Sequence, residues 1–531
     1  MWSSGWRDSI WIGLDRPWQI IVIGGGITGA GIFRQASQAG LRTLLVEAND
    51  FAFGTSSRSS KLVHGGFRYL ANRQFNVTYE SVQERERLLR EAPNLVRPLQ
   101  FIIPVSNLLG QLRYQVGVIL YDLMAPKWRH GIYSPEELHA HCPLVRGTDQ
   151  RGIHYLDAKV DDARLVIRTI REGVLAGGVA INYAEVEDLL TQRDGAVQGV
   201  ILRDRSPTGE SREAEVQAEV VVNATGPWSD RLRQQLGLAT KLRRTRGSHL
   251  LFPRHKLPTD CSFTLEHPID GRTVFTVPWE NTTLIGTTDV DQPSADEAID
   301  AEPAISPQEF DYLLAAIRNA FPQADISAAD VLATFAGLRP LVDSGEDHPS
   351  KVSRGHVILE ERGMLSVMGG KLTTYRLMAH QTLERACAKL SDPPSLDPNR
   401  PILDAPPELD LPHGLSADIL QRLLGRYGSE IADVLAESEA GELEPIDETH
   451  SSWAQIRWAA RHEGIIHLDD LLLRRVRIGL MLPAGATSLL DQVDDVVRSD
   501  LGWDDARWNS EVERYRRRWV SYYSPRPGPA E

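Results

Sequence analysis

The chain has 531 residues, 42% hydrophobic and 24% charged, the balance of a folded globular protein with two or three domains. A formal net charge of −14 excludes a broad phosphate-backbone surface, so nucleic acid is not an expected partner. No run approaches the roughly 18 apolar residues that span a bilayer, no secretory leader is legible, and Cys142, Cys261 and Cys387 are too dispersed for a zinc, CxxC or disulfide pattern; a cytoplasmic protein without a metal centre is expected.

Residues 1–17 form an extension that holds Trp2, Trp6 and Trp11, with Trp18 just beyond it, and has no assignable role. Residues 19–23 then read as a short, fully buried strand, 27–39 as a helix closed by Gly40, and 41–46 as a second buried strand ending in Glu47. Between the first strand and the helix, Gly24, Gly26 and Gly29 stand at GxGxxG spacing. The first glycine permits the tight turn, the second lets a diphosphate approach the backbone, and the third allows helix and strand to close. The helix start supplies N–H groups and a positive dipole end for that diphosphate. A carboxylate at Glu47 can accept both ribose hydroxyls of an adenosine and repels a 2′-phosphate, which leaves NAD or FAD.

A plain nicotinamide dehydrogenase would continue with alternating strands and helices. This chain instead reads FGTSSRSSKLVHGGFRYL over residues 53–70. Thr55, Ser56, Ser57 and Ser60 are suited to capping the next helix or to donating to a phosphate or flavin edge. Gly65 and Gly66 would let backbone meet a flat ring, and Arg58 interrupts the serines. A helix is expected over 77–91. Residues 108–131 combine an apolar face with Arg113, Lys127, Arg129 and His130, the pattern of a helix packed on its own core or lying in a membrane interface. Further on, 179–186 and 220–226 read as buried strands, 272–279 and 282–289 as alternating ones, 390–414 as a linker, and the remainder as helical.

The stretches 24–31, 55–57, SSKLVHGGFRYL, VDDARLV, NATGPWSD, RGSHLLFPR, IGTTDVD, GLRPLV and GGKLTTYR occur in the order found in FAD-dependent glycerol-3-phosphate dehydrogenases. From about residue 18 onward the chain resembles that family, within the glycine-oxidase and D-amino-acid-oxidase-like flavoproteins. The resemblance implies an α/β fold: a Rossmann-like FAD-binding domain of the glutathione-reductase kind, an antiparallel-sheet substrate domain and an α-helical C-terminal domain. The implied division is 18–100, 150–235 and 336–385 for FAD, 101–149 and 236–335 for substrate, 386–414 as linker and 415–531 as the helical part. Implied cofactor contacts are Gly24, Gly26, Thr28, Gly29, Glu47, Thr55, Ser56, Ser57, Ser60, Lys61, Gly65, Gly66, Val186 at the adenine, Ala224, Thr225, Gly226, Gly370, Lys371, Leu372 and Thr373.

The implied activity is oxidation of sn-glycerol 3-phosphate to dihydroxyacetone phosphate, with hydride transfer to FAD and electrons passed to a quinone at a membrane surface. Oxygen as acceptor, another small hydroxy acid or amine as substrate, and a non-catalytic flavin-binding protein are the alternatives; a homodimer is left open. Such chemistry needs a base for the hydroxyl proton and cations for a dianion. By resemblance Arg68, Tyr69, His249, Arg339 and Lys371 line the substrate pocket. His249 is the candidate base, alone or paired with Arg339, unless the arginine polarises the hydroxyl and solvent takes the proton. Arg246 stands where relatives often carry lysine, which would add a second forked anion contact.

Overall fold

Trp18–Ile23 is a run of aliphatic residues behind one tryptophan, and it becomes the middle strand of a mostly parallel sheet. The computed structural model describes the chain except residues 1, 3–4, 68–73, 106–107, 126–128, 142, 147–148, 209–211, 293–301, 344–354, 410–414 and 526–531. Across the sheet the strands run His356–Glu361, Met364–Gly369, Glu213–Asn223, Trp18–Ile23, Thr43–Val46 and Val179–Ile181. All neighbours are parallel except the first pair, a hairpin. Helices Ile27–Gln38, Asp162–Leu175 and Tyr375–Cys387 cover one face and share its apolar cluster. They pack closely because Gly31 faces Tyr375, where a Cβ would come within 2.9 Å of the ring, and Gly173 faces Phe33.

The strand expected over 179–186 is two strands. Val179–Ile181 stays in the parallel sheet, the backbone turns at Tyr183 with φ 50°, and Ala184–Thr191 pairs antiparallel with Val197–Asp204. The Tyr183 hydroxyl donates to Asp470 at 2.6 Å, a tertiary bond that the local aliphatic pattern does not encode.

A second, ten-stranded sheet is built around Leu242–Pro253, which pairs antiparallel with Thr282–Gly286 on one side and Ala333–Val342 on the other. It extends through Thr273–Trp279 and Ser262–Glu266 to Val96–Val105, which pairs antiparallel with Arg151–Val160. The sequence-based division put 150–160 and the start of Val96–Val105 with the first sheet. Their ten-residue register joins them to the second, and the return to the first comes at Asp162–Leu175.

The helical C-terminal part shares a single apolar cluster with the second sheet, Trp279, Leu284 and Phe335 packing with Leu468, Leu472, Trp519 and Tyr523. Residues 397–404, within the expected linker, lie against the first domain: Ile402 and Leu403 are buried, and the Ile402 carbonyl accepts from Arg34 at 3.0 Å. The N-terminal extension is also docked. Trp2 is buried, donates to the Ala180 carbonyl at 3.0 Å and stacks on Phe51, and helix Trp6–Ile12 holds Arg7 against the carbonyls of Asn182 and Tyr183.

Charged groups join the domains internally. Asp50, just past Glu47, lies with its carboxylate between Arg474 and Arg475 of the C-terminal part, Arg475 at 2.7 and 2.8 Å. Arg164 meets Glu463 at 2.6 Å, and Arg426 meets Asp161 at 2.8 Å.

Candidate active site

A cavity runs from the glycine turn of the first sheet to the central strands of the second. Gly24 has φ 109°, and a Cβ there would come within 2.6 Å of the Ala224 carbonyl oxygen. At Gly29 a Cβ would sit 1.9 Å from the Gly24 oxygen, so only glycine lets helix and turn close. Helix Ile27–Gln38 opens onto the cavity, and its first N–H, from Ile27, donates to Ser56 Oγ at 2.9 Å. Glu47 is fixed by two backbone donors, Gly25 N at 2.7 Å and Asn49 N at 2.8 Å. Burial nevertheless pushes its carboxyl up to about 6, outweighing those hydrogen bonds.

At the other end His249 projects from Leu242–Pro253 opposite Gly286 and Phe335. Its ring stacks on Phe335 with centroids 4.7 Å apart, and Nε2 meets Ser60 Oγ at 2.9 Å. A Cβ on Gly286 would lie 2.2 Å from the imidazole, so glycine makes the room for it. Burial first, then the charges of Arg339 and Lys61, hold the ring well below the usual histidine range, which keeps it neutral. Arg339 lies over Gly247, where a Cβ would come within 2.1 Å of the guanidinium, and donates to Asp289 at 3.0 Å and Thr287 at 2.8 Å. Lys371, from the Gly-Gly-Lys turn, donates to Ser81 at 2.6 Å and lines the same cavity.

Gly24, Gly26, Thr28, Glu47, Thr55, Ser56, Ser60, Val186, Ala224, Thr225, Gly226, Gly370, Lys371, Leu372 and Thr373 share this wall with His249 and Arg339. Five expected cofactor residues do not: Gly29, Ser57, Lys61, Gly65 and Gly66. Lys61 is fully buried, donating to Ser57 O at 2.6 Å and to both Asp162 oxygens at 2.8 Å, and burial drives its amine down to about 7. Ser57 serves through that carbonyl rather than its hydroxyl. The Gly65 amide is held by Asp157 at 3.0 Å and a Cβ would meet the Tyr121 hydroxyl at 2.2 Å, so this glycine makes space for a side chain; Gly66 has φ 80° and is not on the wall. Gly29 acts from behind the turn. Arg246 is absent from the wall too, bound to Glu309 at 3.0 Å. Arg68 and Tyr69 lie outside the described residues.

Sequence reading missed Arg58, Phe53, His64 and Trp228 on the wall. Each lies in a quoted stretch, Phe53, Arg58 and His64 in FGTSSRSSKLVHGGFRYL and Trp228 in NATGPWSD; the Trp228 indole nitrogen is buried with no partner among the described residues. The bare backbone at Gly24, the helix start, the buried acid Glu47 on the wall and the unpartnered nitrogens of Trp228 and His249 together fit a long dinucleotide whose far end needs polar contacts.

The model of a family described as FAD dependent oxidoreductase matches residues 19–376, and the chain belongs to that family. A second model, for the C-terminal domain of alpha-glycerophosphate oxidase, matches residues 365–508. Among curated relatives, glycerol-3-phosphate dehydrogenase 2 of Mycobacterium tuberculosis is 35% identical, aligned over 95% of this chain and 88% of its own length. The aerobic glycerol-3-phosphate dehydrogenase of Bacillus subtilis is 31% identical over 94% of both chains. The solved glycerol-3-phosphate dehydrogenase of Bacillus halodurans, complexed with FAD, superposes with a TM-score of 0.75 at 28% identity over 97% of both chains. This is therefore an FAD-dependent oxidoreductase whose near relatives are glycerol-3-phosphate dehydrogenases.

Proposed function

We propose that this chain oxidises sn-glycerol 3-phosphate to dihydroxyacetone phosphate. The observation that carries this reading is the convergence of a neutral, buried His249 with Arg339 and Lys371 on the wall that also holds the dinucleotide turn. Bound FAD supplies the two-electron acceptor for the carbinol carbon. Gly24, Gly26, Glu47, Ser56, Thr225 and the turn at Gly370 to Thr373 hold it. His249 takes the hydroxyl proton at Nε2, the nitrogen that meets Ser60 in the absence of an alcohol. Arg339 and Lys371 balance the phosphate dianion, Arg339 through a planar fork whose orientation is set by Asp289 and Thr287. The names of the curated relatives support the same substrate.

The acceptor is a quinone reached at a membrane surface. Helix Leu108–Asp122 packs through Val118 and Tyr121, yet Leu112, Val116, Leu120 and, just beyond, Leu123 are 43–61% exposed in one helical stripe. Phe75 and Tyr79 are exposed on the neighbouring helix, Phe75–Glu91. A stripe of this kind fits attachment to a cytoplasmic membrane face, and no helix among the described residues is long and apolar enough to cross a bilayer. The match to an oxidase C-terminal domain favours oxygen as the second acceptor to test.

Anaerobic addition of glycerol 3-phosphate to the yellow holoprotein is expected to bleach the flavin, and a soluble quinone to restore its colour faster than oxygen does. A flavin that stays oxidised sinks the substrate assignment. Equal or faster recovery with oxygen turns the protein into an oxidase.

A further inference from the structure

Arg58 interrupts the serine run of the cofactor loop, and its side chain is 3% exposed on the cavity wall. Its Nε and Nη2 donate to the Tyr523 hydroxyl at 3.3 and 2.8 Å, and Nη2 also meets the Glu302 carboxylate. The Tyr523 hydroxyl donates to Glu302 at 2.7 Å, and the other oxygen of Glu302 pairs with Arg518. Glu302 therefore bridges two guanidinium groups, of which Arg518 also faces Asp469 at 3.6 Å, so Arg58 has Glu302 as its one carboxylate partner among the described residues. The guanidinium also lies over Phe53, another wall residue, 5.1 Å from its ring centre. Nη1 is the remaining nitrogen. It bonds to no described residue, and Arg58 is part of the cavity wall.

The clamp is itself anchored. Thr334 N donates to the Tyr523 carbonyl at 2.7 Å, and Thr334 Oγ1 to that of Ser524 at 3.0 Å. Thr334 belongs to Ala333–Val342, the strand that carries Arg339 and stacks Phe335 on His249. Residues near 523 thus fix both the loop arginine and the strand of the active-site arginine.

We propose that Arg58 is a phosphate-binding residue of the cavity, held in place by Tyr523 and Glu302 as positioning residues. The inference rests on the reading that the cavity takes FAD and a phosphorylated polyol. The phosphate belongs either to the cofactor diphosphate or to the substrate, and one experiment separates them.

Arg58→Gln, Arg58→Lys and Tyr523→Phe holoproteins are compared with the parent for FAD dissociation constant, for KM and kcat with glycerol 3-phosphate, and for melting temperature. Loss of one charge-assisted contact is expected to weaken binding by roughly 10- to 100-fold in Arg58→Gln. Arg58→Lys should fall between it and the parent, because an ammonium keeps the charge without the fork. A raised FAD dissociation constant with KM unchanged assigns the contact to the cofactor. A raised KM with kcat and FAD retention unchanged assigns it to the substrate. Tyr523→Phe should shift the same quantity in the same direction by a smaller factor.

If neither quantity moves in either Arg58 variant, the proposal is overturned. It is overturned equally if Tyr523→Phe lowers only melting temperature. Should Arg58→Gln fail to accumulate, the lysine and phenylalanine variants decide by the same readings. A parent protein that glycerol 3-phosphate does not bleach refutes the substrate reading alone, and the FAD constant then decides the case for Arg58.

Discussion

His249 and Glu47 are both buried ionisable groups at the cavity, and their protonation moves in opposite directions. Because burial and two cations depress the His249 pKa, its ring stays neutral as pH drops through 6.5, and the flavin-reduction rate should not fall there. The unfolded chain binds that proton more readily, so the stability His249 permits is full above 6.5 and declines below it. Urea unfolding at a series of pH values should show this slope, and His249→Asn should remove it. The same variant is expected to slow anaerobic flavin reduction by about 10²- to 10⁴-fold, the range of a lost general base. Glu47 is pushed up to about 6, so FAD affinity should weaken as pH falls through that value, when the carboxylate stops accepting ribose hydroxyls. A fluorescence titration of FAD from pH 5 to 8 would test it, about a pKa taken from the same burial argument. An affinity that is flat across that range counts against the ribose role. Glu47 was legible because a fixed spacing links it to the glycines. The reassignment of Lys61 was not, since its partner Asp162 is 101 positions away and a lysine in sequence carries no record of its counter-ion.

Elements with strong aliphatic or helical periodicity were read closely, Trp18–Ile23 and Ile27–Gln38 to within a residue at each end, whereas the strand expected over 220–226 is the last part of the longer Glu213–Asn223. The break at Tyr183 was not, because it is enforced by a hydroxyl reaching Asp470 and not by any glycine or proline. Helix Leu108–Asp122 shows the other limit: periodicity revealed an apolar face but not whether the fold covers it. Its uncovered stripe makes a prediction at this scale. The pair Leu112→Gln and Val116→Gln removes two side chains whose burial is each worth about 1.5–3 kcal/mol. Cosedimentation with anionic phospholipid vesicles should therefore drop at least about tenfold. Turnover with a soluble acceptor should be unchanged. Vesicle binding equal to that of the parent would remove the stripe as the attachment surface.

Across the whole molecule, the domains are fastened by buried ion pairs as well as by shared apolar clusters. Asp50 meets Arg474 and Arg475 from 424 and 425 positions away, with neither side exposed. Asp50→Asn removes the carboxylate shared by both arginines, leaving Arg475 with Glu463 alone while Arg474 keeps Asp469 and Asp470, and should cost about 3–5 kcal/mol in urea denaturation. Flavin release and loss of helical signal should coincide in the parent, since the C-terminal helices and the second sheet share one cluster. Two separate transitions would show that the pairs do not couple the halves. None of this network could be read from the chain, because charge pairing at such separations depends on the finished topology. The sequence motifs located the cavity; of the ion pairs that stiffen it, Asp161 and Arg164 lie in VDDARLV, but their partners Arg426 and Glu463 come from segments with no motif.

The order of synthesis gives the clamp on Arg58 a further meaning. A ribosome reads position 523 a full 465 codons after position 58. A nascent polypeptide therefore carries its nucleotide turn long before the tyrosine that steadies the loop beside it has been made. Premature stop codons that remove only the distal helix should consequently yield chains whose defect includes phosphate binding, of prosthetic group or of substrate, at a site encoded near the opposite end of the message.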